Sequence, residues 1–461
     1  MSSKFSGRDS HWLAFGVLVI GVSLRVLFLD ADPYYYEWAG YISDEGRWVE
    51  NARSLALFGE LFERYIPLHF YLAPLFQLTH YVVFALGGVS LITSRIFTAL
   101  CGSAILVLFW GFLRRAVTGQ AILLGLALLA VQADLVMLSR VAVPEMVIMF
   151  LQLLIYLIVT SSGSSPRRML LAGVLLFITI GMKLTMVPFL VIFSAIILFM
   201  PRQHSGREGG IQARRDLLTF WTGFAVPLLL AVLIGSIFVG TPKSSLPSTL
   251  ATIKSFLHLS SAYGVFSFPF VQPFSLTVNI WALGVWLSAL AWMAAGRDGI
   301  DFQSRRYLVT SAIWLTLYLS LMLLLGYFPT RYKVHILIPM AVNITVGISL
   351  LQRVTIRKVI ESFAKLKGPS RLLWVALLSL PTAAFISPLL ASAVTLGGAD
   401  PGRLRIKLAS LVIVLIATAY AVDRLKDNRR AIAFFLTFPL IGATAWLVLK
   451  TSGASSYPFY P

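Results

Sequence analysis

Residues 92–113 read ITSRIFTALCGSAILVLFWGFL, an apolar stretch in which Arg95 is the one charged side chain. About 20 such residues suffice to cross a bilayer as a helix. Comparable stretches recur along the chain of 461 residues, of which 58% are hydrophobic and 12% charged, with mean hydropathy +0.83. A soluble core could not keep so much apolar surface out of water, so an ordinary globular enzyme is excluded. We predict an all-α polytopic membrane protein.

Thirteen transmembrane helices are predicted from these stretches. They lie at residues 11–29, 92–113, 120–138, 145–162, 169–182, 184–200, 218–240, 275–296, 307–326, 334–352, 372–394, 405–422 and 431–449. The two short spans on either side of Lys183 are the least regular. Residues 65–91 are apolar but interrupted by prolines and polar side chains, so we expect them to lie at the interface or to re-enter the membrane.

The charge balance indicates an orientation. There are 38 Lys and Arg against 19 Asp and Glu, a net charge of +19. More than half of the basic residues fall in the alternate loops that share a side with the N-terminus, and such loops are normally cytoplasmic. We therefore predict a plasma or inner membrane protein with a cytoplasmic N-terminus, and no nucleic acid partner. The one cysteine, Cys101, excludes a disulfide framework and a cysteine-based metal site.

Acidic residues concentrate in the first outer loop, residues 30–91. Its acidic members are Asp30, Asp32, Glu37, Asp44, Glu45, Glu50, Glu60 and Glu63. One interpretation is simply a solvated, negatively charged loop. The other is that some of these carboxylates carry chemistry on the outer face.

The segment 41–55, YISDEGRWVENARSL, is the strongest candidate in this loop. Ser43 is predicted to cap a short amphipathic helix, with Asp44 and Glu45 in its first turn, where the helix dipole favours carboxylates. Trp48 and Ala52 then share its apolar face. Ordinary capping explains the two acids equally well, so both interpretations stay open.

Several ionisable residues are predicted close to the outer ends of spans, where charge is costly unless it faces a cavity or a partner. They are Arg95, Asp134, Arg140, Glu145, Lys183, Arg331 and His335, with Tyr332 beside Arg331. A structural pair, Asp134 with Arg140 or Arg140 with Glu145, is one explanation. The other is a reaction in which a carboxylate takes a proton from a hydroxyl and the cations hold a departing phosphate.

Six stretches in order carry a family resemblance. They are Asp44-Glu45 followed by Trp48 to Arg53, Leu68 to Leu72, Ser94 to Gly102, Ser139-Arg140 to Glu145, Met182 to Thr185, and Arg331-Tyr332 to Pro339. Over roughly residues 1–350 the chain resembles the GT-C glycosyltransferases that use lipid-phosphate sugars, such as the protein O-mannosyltransferases and the aminoarabinose transferases. It departs from them at Leu68-His69, where many relatives carry a second proline.

The resemblance implies a GT-C bundle of about 13 helices, with juxtamembrane helices from the first outer loop covering the site. Residues 1–350 would form the catalytic region and residues 351–461 further transmembrane helices, with no separate soluble domain. A sugar would pass, with inversion, from a polyprenyl- or dolichyl-phosphate to a hydroxyl acceptor on the outer face. No metal ligand is assigned, although members of the family differ in their use of a divalent cation.

The resemblance also implies roles for individual residues. Asp44 would be the catalytic base, and Glu45 would position it or bind the acceptor. The donor phosphate would contact Arg331, Lys183, Arg95 and Tyr332. A possible second acidic or acceptor site would contain Glu145, Arg140 and His335.

Two other classes of function remain open from the sequence. A flippase-type transporter of lipid-linked sugars or polysaccharides also needs many spans and buried cations, but it should show internal repeats, which we do not find. A structural assembly subunit would be insensitive to substitution at Asp44.

Overall fold

A computed structural model describes residues 7–30, 41–61, 70, 72–114, 116–161, 165–202, 207–238, 284, 288, 291, 292, 300–325, 332 and 334–352. These are called the described residues below. Their regular elements are helices, as the sequence predicts. Of the predicted spans, 372–394, 405–422, 431–449 and most of 275–296 lie outside them.

Twelve α-helices of the described residues are numbered here in chain order. The first six are α1 (Gly7–Val26), α2 (Tyr41–Phe58), α3 (Pro74–Gly87), α4 (Leu91–Leu113), α5 (Gly119–Val131) and α6 (Ala133–Ser139). The next six are α7 (Pro144–Thr160), α8 (Pro166–Met182), α9 (Phe189–Phe199), α10 (Arg207–Phe238), α11 (Phe302–Leu325) and α12 (Leu337–Leu351). Short 3₁₀ turns at Leu184–Met186 and Val334–Ile336 precede α9 and α12.

Three stretches of helix are long and apolar enough to cross a bilayer: Leu91–Leu113, Glu208–Leu233 and Val334–Leu351. Shorter apolar helices, including Pro144–Thr160, lie among them. The described residues are thus helical and include apolar helices that could span a membrane, as the sequence predicts. The count of about 13 spans stays a prediction.

The predicted single span 120–138 is wrong in its continuity. It consists of α5 and α6, which are bent by 55° at Gln132. The break releases carbonyls at the end of α5, and the buried Arg25 guanidinium of α1 donates to Leu129 and Ala130. Gln132 in turn accepts a hydrogen bond from the Leu135 N–H at the start of α6. Polar side chains thus stabilise a break that has no glycine or proline at Gln132.

Two helices of the segment 30–91, α2 and α3, pack against each other, and α3 also packs against α4 and α8. The prediction of an amphipathic helix at 41–55 is confirmed, and Trp48 and Ala52 on its apolar face are buried. Its start is earlier than predicted, because α2 begins at Tyr41. Ser43 therefore lies inside the helix and is not its N-cap.

The first half of α8 packs closely against the backbone of α10. A Cβ atom on Gly173 would lie 2.1 Å from the Phe220 carbonyl oxygen, and one on Gly223 would lie 2.1 Å from that of Leu170. Glycine at both positions therefore allows the two helices to touch through their backbones. Lys183 follows the other end of α8.

Candidate active site

The first ionic contact of the site joins α2 to the start of α4. The Arg95 guanidinium donates from Nε to Glu45 Oε1 and from its terminal nitrogen to Glu45 Oε2, both at 2.7 Å. It also donates to the Leu29 carbonyl at 2.7 Å, while Glu45 Oε1 accepts the Ala142 N–H at 2.9 Å. Both side chains are buried. A bidentate, charge-assisted pair of this kind fixes orientation as well as charge.

The second ionic contact lies between the start of α7 and the end of α8. Lys183 Nζ donates to Glu145 Oε1 at 2.5 Å, and both side chains are buried. The ammonium also lies over two aromatic faces, 4.8 Å from the Trp48 ring centroid and 4.5 Å from that of Tyr332. Two cation–π contacts and one carboxylate therefore replace the water that this ammonium loses.

The two contacts belong to one site, because two segments connect them. In α2, Glu45 and Trp48 are three residues apart and reach Arg95 and Lys183, respectively. The Ala142 N–H, in the α6–α7 connection, binds Glu45, and Glu145, in the first turn of α7, binds Lys183. Residues three apart lie on the same face of a helix, so α2 covers both pairs with a single face.

His335 borders the second pair. Its Nδ1 atom lies 3.0 Å from Gln152 Oε1, and its ring packs edge-on against Phe189 and Tyr318. The Tyr318 hydroxyl donates to the Tyr332 carbonyl at 2.9 Å. Thus α7, α11 and the turn before α12 hold Tyr332 and His335 in place beside Lys183.

The remaining predicted site residues are placed as follows. Arg140 donates to the Phe28 carbonyl at 2.7 Å, which ties the α6–α7 connection to the end of the first span. Asp134 accepts a hydrogen bond from Gln132 at 2.7 Å. Asp44 lies in α2 immediately before Glu45, but its side chain lies outside the described residues, and so does Arg331.

Sequence reasoning missed two polar residues of α3. Gln77 accepts the Ala52 N–H at 3.1 Å and donates to the Arg47 carbonyl at 3.3 Å, so its amide contacts the backbone of α2. His80 lies with its ring nitrogens 3.0 Å from the carbonyl oxygens of Phe76 and Ser94. Both were visible only as polar interruptions of an apolar segment.

The charge state of His80 is under opposing influences. Burial is the largest influence and lowers the pKa of His80 below its usual value, although the two carbonyl contacts and the Glu45 carboxylate raise it in part. A neutral imidazole can donate from one nitrogen only, so both carbonyl contacts are hydrogen bonds only when the ring is charged.

No group of three or more His, Cys, Asp or Glu side chains among the described residues is arranged to hold a metal ion. The use of a divalent cation therefore stays an expectation from the family resemblance.

Comparison with solved structures returns glycosyltransferases of the GT-C type. ArnT from Cupriavidus metallidurans bound to undecaprenyl phosphate is 16% identical, with a TM-score of 0.46, covering 96% of this chain and 77% of that one. The archaeal oligosaccharyltransferase AglB from Archaeoglobus fulgidus, in complex with an inhibitory peptide and a dolichol-phosphate, is 13% identical, with a TM-score of 0.46, covering 85% of this chain and 56% of that one. The Pmt1-Pmt2 protein O-mannosyltransferase complex of S. cerevisiae is 16% identical, with a TM-score of 0.39, covering 50% of this chain and 34% of that one.

No protein-family model and no curated protein sequence matches the chain. The solved structures are thus of the superfamily that the six sequence stretches predict, at low identity and with TM-scores below 0.5.

Proposed function

We propose that the protein is an integral-membrane glycosyltransferase that moves a sugar from a polyprenyl- or dolichyl-phosphate to a hydroxyl acceptor. One observation supports this proposal above the others. Helix α2, which carries Asp44 and Glu45, covers the buried Lys183 ammonium with its Trp48 ring. The two carboxyl residues thus lie on one short helix, and the desolvated cation lies directly beneath it. Sugar transfer from a phosphate requires this combination of a base and a cation.

In this proposal Asp44 is the general base. It takes the proton of the acceptor hydroxyl while the hydroxyl oxygen attacks the anomeric carbon and the bond from that carbon to the phosphate oxygen breaks. Attack opposite the leaving group inverts the anomeric centre. The lipid phosphate leaves with the electron pair of the broken bond.

Lys183, Arg331 and Tyr332 would hold this phosphate. An ammonium has three N–H donors, and one of those of Lys183 points to Glu145, so a phosphate oxygen would replace an aromatic contact without breaking the pair. Glu145 would then set the position of Lys183 rather than bind the acceptor.

Arg95 fits a different role from the one predicted. Its guanidinium donates to both Glu45 oxygens and to the Leu29 carbonyl, and contact with the donor phosphate stays a prediction. The geometry favours Arg95 as the residue that positions Glu45, and through it the acidic end of α2. Arg140 fits a similar supporting role, through Phe28.

The distribution of basic residues supports a cytoplasmic N-terminus in the plasma or inner membrane, with the site on the outer face. Acceptors reached from that face include proteins, lipids and glycans, and the resemblance does not select among them.

The test is turnover by the purified protein in liposomes, with a panel of labelled undecaprenyl- and dolichyl-phosphate sugars. We expect release of the lipid phosphate together with label on a hydroxyl acceptor. Movement of labelled lipid across the bilayer without cleavage of the sugar–phosphate bond would contradict the proposal and favour a flippase-type transporter.

A further inference from the structure

Gln77 in α3 makes an unusual connection to α2. Its amide lies between the Arg47 carbonyl, to which it donates at 3.3 Å, and the Ala52 N–H, from which it accepts at 3.1 Å. These two backbone groups belong to the middle of α2, and between them lies Trp48. Side-chain amides seldom have to bind the backbone in the middle of a helix, because helical residues bond to one another. Gln77 therefore binds the backbone of α2 and not only its side chains.

The two hydrogen bonds from Gln77 reach α2 close to the residues that contact the ion pairs. Arg47 is two residues after Glu45 and one before Trp48. Glu45 is held by Arg95, and Trp48 lies over Lys183. A rotation of α2 about its axis, or a slip along it, would disturb both contacts at once. Gln77 contacts the α2 backbone on both sides of Trp48, so its two hydrogen bonds oppose such a movement.

The same helix α3 is also anchored to α4. His80, one turn after Gln77, places Nε2 3.0 Å from the Ser94 carbonyl, next to Arg95. Phe76 and Phe84 are buried with Gln77 and His80. Helix α3 thus joins the backbone of α2, which carries Glu45, to the backbone of α4, which carries Arg95.

We propose that Gln77 is a positioning residue for sugar transfer, which fixes the rotation and axial position of α2 so that Asp44 and Trp48 meet the donor together. The inference rests on the proposed function, because it concerns the same site. Gln77 does not touch the reacting atoms and acts through α2. A displacement of about 1 Å at a reacting group can cost about 100-fold in rate. Loss of the two hydrogen bonds between Gln77 and α2 should therefore lower kcat.

The test compares Gln77→Leu with wild-type protein in nanodiscs. The leucine fills nearly the same space but neither accepts from Ala52 nor donates to Arg47. We expect kcat for sugar transfer to fall about tenfold and the donor KM to rise, because a displaced α2 moves both Asp44 and Trp48 away from the donor. Hydrogen exchange of the α2 backbone amides, Ala52 included, should become faster.

Thr79→Val is the matched control on the same helix. The Thr79 hydroxyl donates to the Leu75 carbonyl of α3 itself at 2.7 Å and does not reach α2. This variant should keep wild-type kcat and wild-type exchange in α2.

The outcomes separate this inference from the proposed function. If wild-type protein transfers sugar and Gln77→Leu does so with unchanged kcat, the inference is overturned and the proposed function stands. If wild-type protein transfers no sugar from any donor, the proposed function fails, and the exchange measurement decides the rest. If the Ala52 amide then exchanges at the same rate in Gln77→Leu as in wild type, the role of Gln77 in positioning α2 is overturned as well. Faster exchange in Gln77→Leu supports that role.

Discussion

The two ion pairs of the site are alike in burial and charge but differ in geometry. The Glu45–Arg95 pair has two parallel hydrogen bonds, and both partners are further satisfied by backbone groups at Ala142 and Leu29. The Glu145–Lys183 pair has one direct contact, and aromatic faces cover the ammonium. In the first pair, both side chains already make several hydrogen bonds to protein groups, so few hydrogen-bonding groups remain for a ligand. The second has a single hydrogen bond, and the rest of its ammonium faces aromatic rings, so we expect it to act on the donor.

The largest expected loss of stability comes from breaking the first pair. Arg95→Met leaves the buried Glu45 carboxylate without its counter-charge, which costs about 3–5 kcal/mol in comparable cases. The measurement is thermal unfolding in detergent, read by the fraction that stays monodisperse on heating. Replacing both partners, as Arg95→Met with Glu45→Leu, should recover part of the loss, because no uncompensated charge remains. Wild-type stability of the single variant would contradict a structural role for this pair.

Breaking the second pair should cost less stability and more activity. Lys183→Met leaves the buried Glu145 carboxylate without its counter-charge, so we expect the lower end of the same range, about 3 kcal/mol, because one direct hydrogen bond is lost and not two. It also removes the cation that is proposed to hold the departing phosphate. We expect kcat for sugar transfer to fall about 100- to 1,000-fold in the protein that remains folded. Single-turnover measurements with a labelled donor provide the comparison. If Lys183→Met lost stability but kept wild-type turnover, the two pairs would have the same, purely structural role.

The smallest effect is expected at the aromatic cover of Lys183. Trp48→Leu removes one of two cation–π contacts with a buried ammonium and should destabilise the protein by about 2 kcal/mol, together with a higher donor KM. The matched control is Trp110→Leu, which removes the contact of the Trp110 ring with Arg114, 4.9 Å away at the far end of α4. Equal effects of the two substitutions on donor KM would remove Trp48 from the site.

Much of the fold could be predicted from hydrophobicity alone. The predicted span 92–113 coincides with α4, Leu91–Leu113, since nothing but Arg95 interrupts it. The break at Gln132 could not be predicted, because no glycine or proline marks it. It depends on Arg25, whose guanidinium reaches the released carbonyls from more than a hundred residues away in sequence. Contacts over that distance are set by packing, which a local pattern does not contain.

The members of the candidate site could be predicted better than their partners. Arg95, Glu145 and Lys183 were singled out because charge at membrane depth needs a reason, and Glu45 was singled out by its place in the predicted first turn of α2 and by the family resemblance. The pairing of Glu45 with Arg95 and of Glu145 with Lys183 was not foreseen, because each pair joins different helices. Gln77 was missed because its polar side chain was interpreted as a break in an apolar segment, whereas its amide binds the backbone of α2.

The central claim is that α2 carries the base of a sugar transfer, and Asp44→Asn tests it most directly. The substitution keeps the size of the side chain and removes its basicity. The account predicts that the variant inserts and folds like the wild type but transfers labelled sugar at least about 100-fold more slowly. Glu208→Gln, at an exposed carboxylate of α10, should transfer at the wild-type rate. Wild-type transfer by Asp44→Asn in the same liposomes would contradict the account.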